Sequence, residues 1–411
     1  MAETVDLVEM YRDLHRNPEL AFHETRTAGI AARRLRELAF EVTEGVGGTG
    51  VVGLLHNGDG PTVLLRADMD ALPVEEATGL PYASTVHATD ANGVDRPVMH
   101  ACGHDMHVTC LLGACAALVE RATEWRGTVM AVFQPAEEVG GGAQSMVDDG
   151  LFERFGPPVV VLGQHVTPLP AGVIGLRPGP AFAAADALRV TLHGRGGHGS
   201  QPELTVDPVV MAAATILRLQ TVVSREMSWR DPAVVTVGAV HSGTAGNIIA
   251  ERAELLLSIR SFSASARKRA LGSVTRIVRA EAAASGAQRE PDVEVLESFP
   301  GVTNDVAAVD RTRPALSAVA ASVVDPGMLA ASEDVGVLAT AAGVPCVYWL
   351  LGGADPAAYG AATTAEQMAE RLQSLPANHS PAYAPVPQPT ISVGVAALVS
   401  AARTWLEVPE A

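Results

Sequence analysis

The densest run of chemically capable side chains is His100-Ala101-Cys102-Gly103-His104-Asp105-Met106-His107. A thiolate beside imidazoles suits zinc and similar divalent metals, which take sulfur and nitrogen donors. The segment reads as a tight turn opening a helix, and a helix N-terminus lowers a thiol pKa and favours the ligating thiolate. Whether His100 and His107 ligate or only support the turn stays open. A second run, Gln134-Pro135-Ala136-Glu137-Glu138, follows an apolar stretch. There one carboxylate can coordinate a metal while its neighbour stays free to accept a proton. His165 and His379, the latter in Pro376-Ala-Asn-His-Ser-Pro381, are isolated histidines whose weight comes from company. Reading Cys102 as a nucleophile paired with histidine leaves the Glu pair unexplained, and metal coordination accounts for more of these residues.

The elements that must position these groups alternate between helix and strand. Amphipathic helices are expected around Val5 to His15 and Glu24 to Ala39, then an apolar run Val51 to Leu55 and a strand Thr62 to Arg66. A helix follows from about His107 to Arg121, then buried strands Thr128 to Phe133 and Val159 to Gly163. Such alternation predicts an α/β fold with a mixed, mostly parallel sheet. Three of these strands run into ligand-type residues: Asp68 and Asp70, Glu137 and Glu138, and His165. In an open α/β sheet ligands bind at the carboxyl ends of the strands, so these groups are expected to converge. From about Asp186 the order becomes strand, helix, strand, strand, helix, strand, a ferredoxin-like βαββαβ unit. The chain is therefore expected to comprise a catalytic domain of residues 1–185 and 302–411 with an inserted domain of residues 186–301.

The charge balance is 29 basic against 46 acidic residues, a net −17 with no Lys/Arg-rich cluster, which disfavours nucleic acid as a partner. The N-terminal segment lacks the basic and apolar regions of a signal peptide, and no uncharged apolar stretch approaches the roughly 20 residues of a membrane span. A cytoplasmic protein without a membrane partner is expected. The chain has 4 cysteines, too few for a disulfide scaffold, and Cys110, Cys115 and Cys346 sit in apolar surroundings as core residues do.

With these residues in view, the sequence resembles the M20 metallopeptidase family, in its aminoacylase, hippurate hydrolase and auxin-conjugate hydrolase branch. The resemblance is carried by LHRNPEL at 14–20, LLRADMDALP at 64–73, HACGHDMH at 100–107, QPAEE at 134–138, GQHV at 163–166, GRGGHGSQP at 194–202, GTAGNII at 243–249, SED at 332–334 and NHSPAYAPV at 378–386. It implies two divalent metal ions per subunit (Zn, Mn, Co or Ni) held by Cys102, His104, Glu138, His165 and His379, with Cys102 as the bridge. Glu137 takes the general base and acid position, and Asp70 the orienting-carboxylate position. The wider family has His-x-Asp where this chain has Asp68-Met69-Asp70, which leaves Asp68 outside the ligand set. The inserted domain resembles the family's lid and dimerisation domain, which implies a homodimer or higher homo-oligomer. His198 would polarise the substrate carbonyl, often across the dimer interface. Asn247 and Arg260 match positions suited to a substrate carboxylate, for which a guanidinium fork is well shaped. The implied reaction is hydrolysis of the amide bond of an N-acyl amino acid or a similar small amide. A dipeptidase or carboxypeptidase specificity on the same site is the alternative, and a non-catalytic metal-binding protein of the same fold a more distant one. The family usually has an aromatic after the acid where this chain has Val335, and often a bulky residue where it has Ala382, so the acyl pocket departs from the pattern.

Overall fold

Both faces of the central strands are buried, which explains their continuous apolar runs. Val63, Leu64 and Leu65 on one strand, and Val129 to Phe133 on the next, have no exposed surface. The structure, a computed structural model, describes residues 6–362 and 364–407. Its contacts divide the chain into two compact units, one of residues 1–179, 303–327 and 334–411, the other of residues 180–302 and 328–333.

The first unit is built on an eight-stranded sheet, in the order Glu41–Val46, Gly50–Asn57, Gly127–Gln134, Thr62–Asp68, Val160–Pro170, Cys346–Ala354, Val173–Gly175 and Ser322–Val324. The four strands in the middle of that order are mutually parallel, while Gly50–Asn57 and Val173–Gly175 pair antiparallel with their inner neighbours. This is the mixed, mostly parallel sheet the alternation predicts. Helices His104–Glu120 and Pro387–Trp405 share the core of this sheet: Leu111, Leu118, Ile391 and Leu398 are buried with Val63, Leu65, Phe133 and Trp349.

Two local features differ from the expectation. The strand expected to stop at Gly163 runs from Val160 to Pro170 and keeps pairing with Cys346–Ala354 as far as Pro170. His165 therefore projects from mid-strand, not from a loop after it. The helix expected from His107 starts at His104. Gly103 sets that start with φ +83, and a Cβ there would lie 2.4 Å from Val166 Cγ1, so only glycine fits the turn.

The second unit has a four-stranded antiparallel sheet in the order Ala233–Ser242, Arg252–Ser261, Ala184–His193, Asp292–Phe299. Its strands alternate: Leu188, Val190 and Leu192, and Ala253, Leu255, Leu257 and Ile259, form one buried face. Helices Pro208–Thr221 and Ala264–Ala284 cover that face through Met211, Leu219, Val274 and Ile277. Asp207 and Ser263 start the two helices by accepting from Val209 N and Ala266 N. With Ala184–His193 as first strand, the order is the expected βαββαβ.

Candidate metal centre

Three of the parallel strands and the helix opening at His104 deliver the ligand-type side chains of the first unit to one place. Cys102 Sγ lies 3.4 Å from His165 Nε2. His379 Nε2 lies 3.3 Å from Glu138 Oε2, and His104 Nε2 3.8 Å from Glu138 Oε1. Potential ligand atoms of Cys102, His104 and His165 fall within 4.8 Å of one another, as do those of Cys102, Glu138 and His379 and those of His104, Glu137 and Glu138. The sets overlap at Cys102, His104 and Glu138.

The hydrogen bonds leave particular atoms facing the cluster. His104 Nδ1 lies 3.3 Å from Asp70 Oδ1, which leaves Nε2 as the inward atom. His165 Nδ1 lies 2.9 Å from the Val166 carbonyl and so carries the proton, again leaving Nε2 inward. Asn378 Nδ2 donates to the carbonyls of Cys102 (3.1 Å) and Val166 (3.0 Å), tying the cysteine turn to the strand that bears His165. His379 stands at φ +70, with its N–H donating to the Ala101 carbonyl at 2.8 Å. Unlike the other members of the cluster it is exposed.

Two buried atoms decide whether this donor set suits a cation. His104 Nε2 and Glu138 Oε1 have no hydrogen-bond partner, and a buried polar atom without a partner costs about 1–3 kcal/mol. Charge points the same way. Burial, with the negative field of Glu138, Glu137 and Asp68, pushes the Cys102 thiol well above its usual range. Burial disfavours charge on His104, yet Asp68, Asp70 and Glu138 raise it to about 10. Burial also raises Asp70, against the lowering hydrogen bond from His104. A pocket that crowds carboxylates and a thiol is stabilised by positive charge, and sulfur, imidazole and carboxylate together fit a divalent transition metal.

A further group, Asp68, His104 and His107, also has ligand-type atoms in range, but Asp68 and His107 in it are already hydrogen-bonded. His107 Nδ1 bonds Asp68 Oδ1, and His107 Nε2 accepts from Val166 N at 2.8 Å. Asp68 Oδ2 takes a 2.6 Å bond from Arg66. These bonds make the group a buried polar network that braces the cluster.

Sequence reading missed several residues of this network. Arg66 is buried, donating through Nε to Gln134 Oε1 (2.9 Å), through one terminal nitrogen to Asp68, and through the other to Asp334 Oδ1 (3.1 Å). His15 bridges Asp105 Oδ2 (2.7 Å) and Glu76 Oε1 (3.1 Å). Burial opposes its charge, but the two carboxylates raise it to about 10. His100 is the opposite case: burial lowers it to about 4, and neither ring nitrogen has a hydrogen-bond partner. His15 and Arg66 both lie in segments that carry the resemblance, His15 in LHRNPEL and Arg66 in LLRADMDALP, but their residue types alone gave them no role.

The remaining expected residues lie on the second unit. Gly197–His198 pairs with Ile248–Ile249, and Gly199 N donates to the Asn247 carbonyl at 2.9 Å, so His198 and Asn247 are neighbours on an exposed ribbon. Ser200 Oγ lies 2.7 Å from His198 Nδ1 and fixes the ring. Arg260 sits on a strand paired on both sides, opposite Ala185 and Val234, and donates to Ser332 Oγ at 2.7 Å. It is held in place within the second unit.

Residues 64–377 match Peptidase family M20/M25/M40. The chain belongs to this family. Among its M20 relatives, thermostable carboxypeptidase 2 of Saccharolobus solfataricus is 37% identical over 352 residues, covering 84% of this chain and 85% of the relative. The hippurate hydrolase of Campylobacter jejuni is 40% identical over 299 residues, covering 72% and 74%. A Bacillus subtilis protein described as a dinuclear metal binding peptidase of family M20 shares the fold at a TM-score of 0.78, with 28% identity and 98% of each chain covered. Among the described residues, no helix is long and apolar enough to cross a membrane.

Proposed function

We propose that this protein is a metal-dependent amidohydrolase that cleaves the amide bond of N-acyl amino acids, releasing a carboxylic acid and an amino acid. The observation that carries the reading is the pair of buried atoms His104 Nε2 and Glu138 Oε1, 3.8 Å apart and neither with a hydrogen-bond partner, beside Cys102, with Glu137 as a neighbouring carboxylate. The hippurate hydrolase relative supports the substrate class and the dinuclear neighbour the pair of metals. Cys102, His104, Glu138, His165 and His379 are the residues that would hold two divalent ions, of Zn, Mn, Co or Ni, with Cys102 in both donor groups. Asp70 orients His104 through Nδ1, the usual role of a carboxylate behind a metal-bound imidazole. Such metals polarise a carbonyl and lower the pKa of water from 15.7 to about 7. Glu137 takes the proton of the attacking water and returns it to the departing amine. His198 donates to the developing oxyanion, and Asn247 and Arg260 hold the substrate carboxylate.

The carboxypeptidase relative favours one further reading, a C-terminal peptide bond as substrate. That bond is also the amide of an N-acylated amino acid with a free carboxylate, so both activities ask for the same machinery and differ in the acyl pocket. Amine release from N-acetyl, N-benzoyl and long-chain N-acyl amino acids, dipeptides and short peptides separates them. Cleavage of the simple acyl amino acids is expected to dominate. Turnover confined to peptides would move the assignment to the carboxypeptidase reading, and no turnover by metal-loaded protein would refute both.

The second unit is proposed to act as lid and dimerisation domain of a cytoplasmic homodimer. Ala233–Ser242 is an edge strand exposing Val234 and Val240, and the helix Pro208–Thr221 exposes Val210 and Leu217. Such an edge beside an apolar face suits pairing with a second copy. If His198 serves the partner's site, mixing inactive His198→Ala and Glu137→Gln proteins should restore activity after subunit exchange. Continued inactivity of an exchanged mixture would rule out sharing.

A further inference from the structure

Three consecutive backbone N–H groups, those of Ala136, Glu137 and Glu138, end on two carboxylates from distant parts of the chain. Asp70 accepts two of them, Oδ1 from Glu137 N at 3.0 Å and Oδ2 from Glu138 N at 2.9 Å. Glu24 accepts the third: its Oε1 takes Ala136 N at 2.8 Å together with Phe22 N at 2.9 Å, while Thr49 Oγ1 donates to Oε2. Glu24 immediately precedes the helix Thr25–Glu37 and starts it through its backbone, Ala28 N donating to its carbonyl at 2.9 Å. A carboxylate at that position ordinarily caps its own helix or faces water. This one makes no side-chain cap bond and has no exposed surface. Its side-chain hydrogen bonds go to the turn at Phe22, to Thr49 and to the loop that carries Glu137.

The peptide it holds needs holding. Ala136 stands at φ +50, in the left-handed region that residues with a Cβ rarely adopt. Its carbonyl is fixed by Gly142 N at 3.1 Å, and the chain returns so closely that a Cβ on Gly142 would lie 1.6 Å from the Pro135 carbonyl. Strained backbone of this kind persists where surrounding bonds over-determine it. Without the Glu24 bond, the Ala136 N–H loses its acceptor and only its carbonyl stays tied, to Gly142 N, so the strained φ is less constrained, and any relaxation there rotates the bond on which the Glu137 side chain leaves the backbone. Asp70 alone does not prevent it, because it holds only the two following N–H groups.

We infer that Glu24 is a positioning residue: by fixing the Ala136 peptide it sets the direction of Glu137, the proton-transfer group of the function proposed above. The inference rests on that reading for its effect on turnover, and on the geometry alone for its effect on the loop. Glu24→Gln retains an acceptor for both N–H groups, and Thr49 can accept from its amide. Glu24→Ala retains none.

The test uses full-length, metal-loaded protein and compares wild type, Glu24→Gln and Glu24→Ala. It measures metal content, kcat and KM on the best N-acyl amino acid, and hydrogen–deuterium exchange in the peptide spanning 134–140. Glu24→Ala is expected to keep its metals and a KM within about twofold, to lose about 10- to 100-fold in kcat as a misplaced catalytic group does, and to exchange faster in 134–140. Glu24→Gln is expected to retain most of the kcat and the slow exchange. If the alanine variant does not fold, Glu24→Met fills the same buried volume without an acceptor and carries the same expectation. Unchanged kcat or unchanged exchange in the acceptor-less variant overturns the inference, as does a glutamine variant as impaired as alanine, or a parallel loss of metal and kcat. Should wild type cleave no N-acyl amino acid, the proposed function fails, while exchange in 134–140 still decides what Glu24 does to the loop.

Discussion

Glu137→Gln is expected to bind metal like the parent protein and to lose about 10²- to 10⁴-fold in turnover, the range that positioned general acid–base groups contribute. The substitution keeps the size of the side chain and removes its basicity. Its backbone N–H continues to bond Asp70, so the loop holding Glu138 is undisturbed. Glu138, with His104 and His379 against it, stays below the usual carboxylate range despite the opposing effect of burial, and that suits a permanently ionised ligand better than a proton carrier. On the proposed function the two neighbouring acids divide the work, one binding and one moving a proton. Metal content by mass spectrometry alongside kcat checks this. An active Glu137→Gln protein, or an inactive one that has also lost its metal, would contradict the division.

Arg66→Met is expected to destabilise the fold by about 3–5 kcal/mol, the cost of breaking a buried ion pair from one side. Arg66 is 2% exposed and bonds Asp68, Asp334 and Gln134 at once. Removing it leaves two carboxylates buried without their cation, at the edge of the sheet that carries the cluster. The loss should depend on pH. Burial would raise Asp68, but Arg66, His104 and His107 hold it well below the usual carboxylate range. A depressed carboxylate stabilises the fold above its unfolded pKa, and that contribution disappears as pH falls through its folded value. The difference between parent and variant should therefore be largest near neutrality and shrink in acid. Denaturant titrations at neutral and acidic pH measure it, and a difference that stays constant with pH would remove the charge argument.

The legible part of the site was the part whose chemistry is local in sequence. Cys102 and His104 lie within one turn, and Glu137 and Glu138 are adjacent, so residue type and spacing alone suggest a metal and a base. The sheet was legible because strands buried on both faces read as uninterrupted apolar runs. His165 was found as a ligand candidate but placed at a strand end. Its strand continues only because Cys346–Ala354, nearly 200 residues later in the chain, pairs with it as far as Pro170. The exposed strand Glu41–Val46 was missed because its sequence EVTEGV is half polar and it borders the sheet. Arg66 and Glu24 were silent for a common reason. A single charge in an apolar segment, or at a helix start, resembles a surface residue until its partners are known, and those partners lie at 134 and 334 for one and at 49 and 136 for the other.

On the proposed function, the Cys102, His104, Glu138, His165 and His379 cluster becomes an amide-hydrolysing centre when it holds divalent metal. The most direct test strips the protein with chelator and titrates Zn, Mn or Co back while following amine release from an N-acyl amino acid. Stripped protein is expected to show no activity, and added metal a rise that saturates near two equivalents per chain. Full activity in metal-free protein, or binding of two equivalents without any amide cleavage, would contradict it.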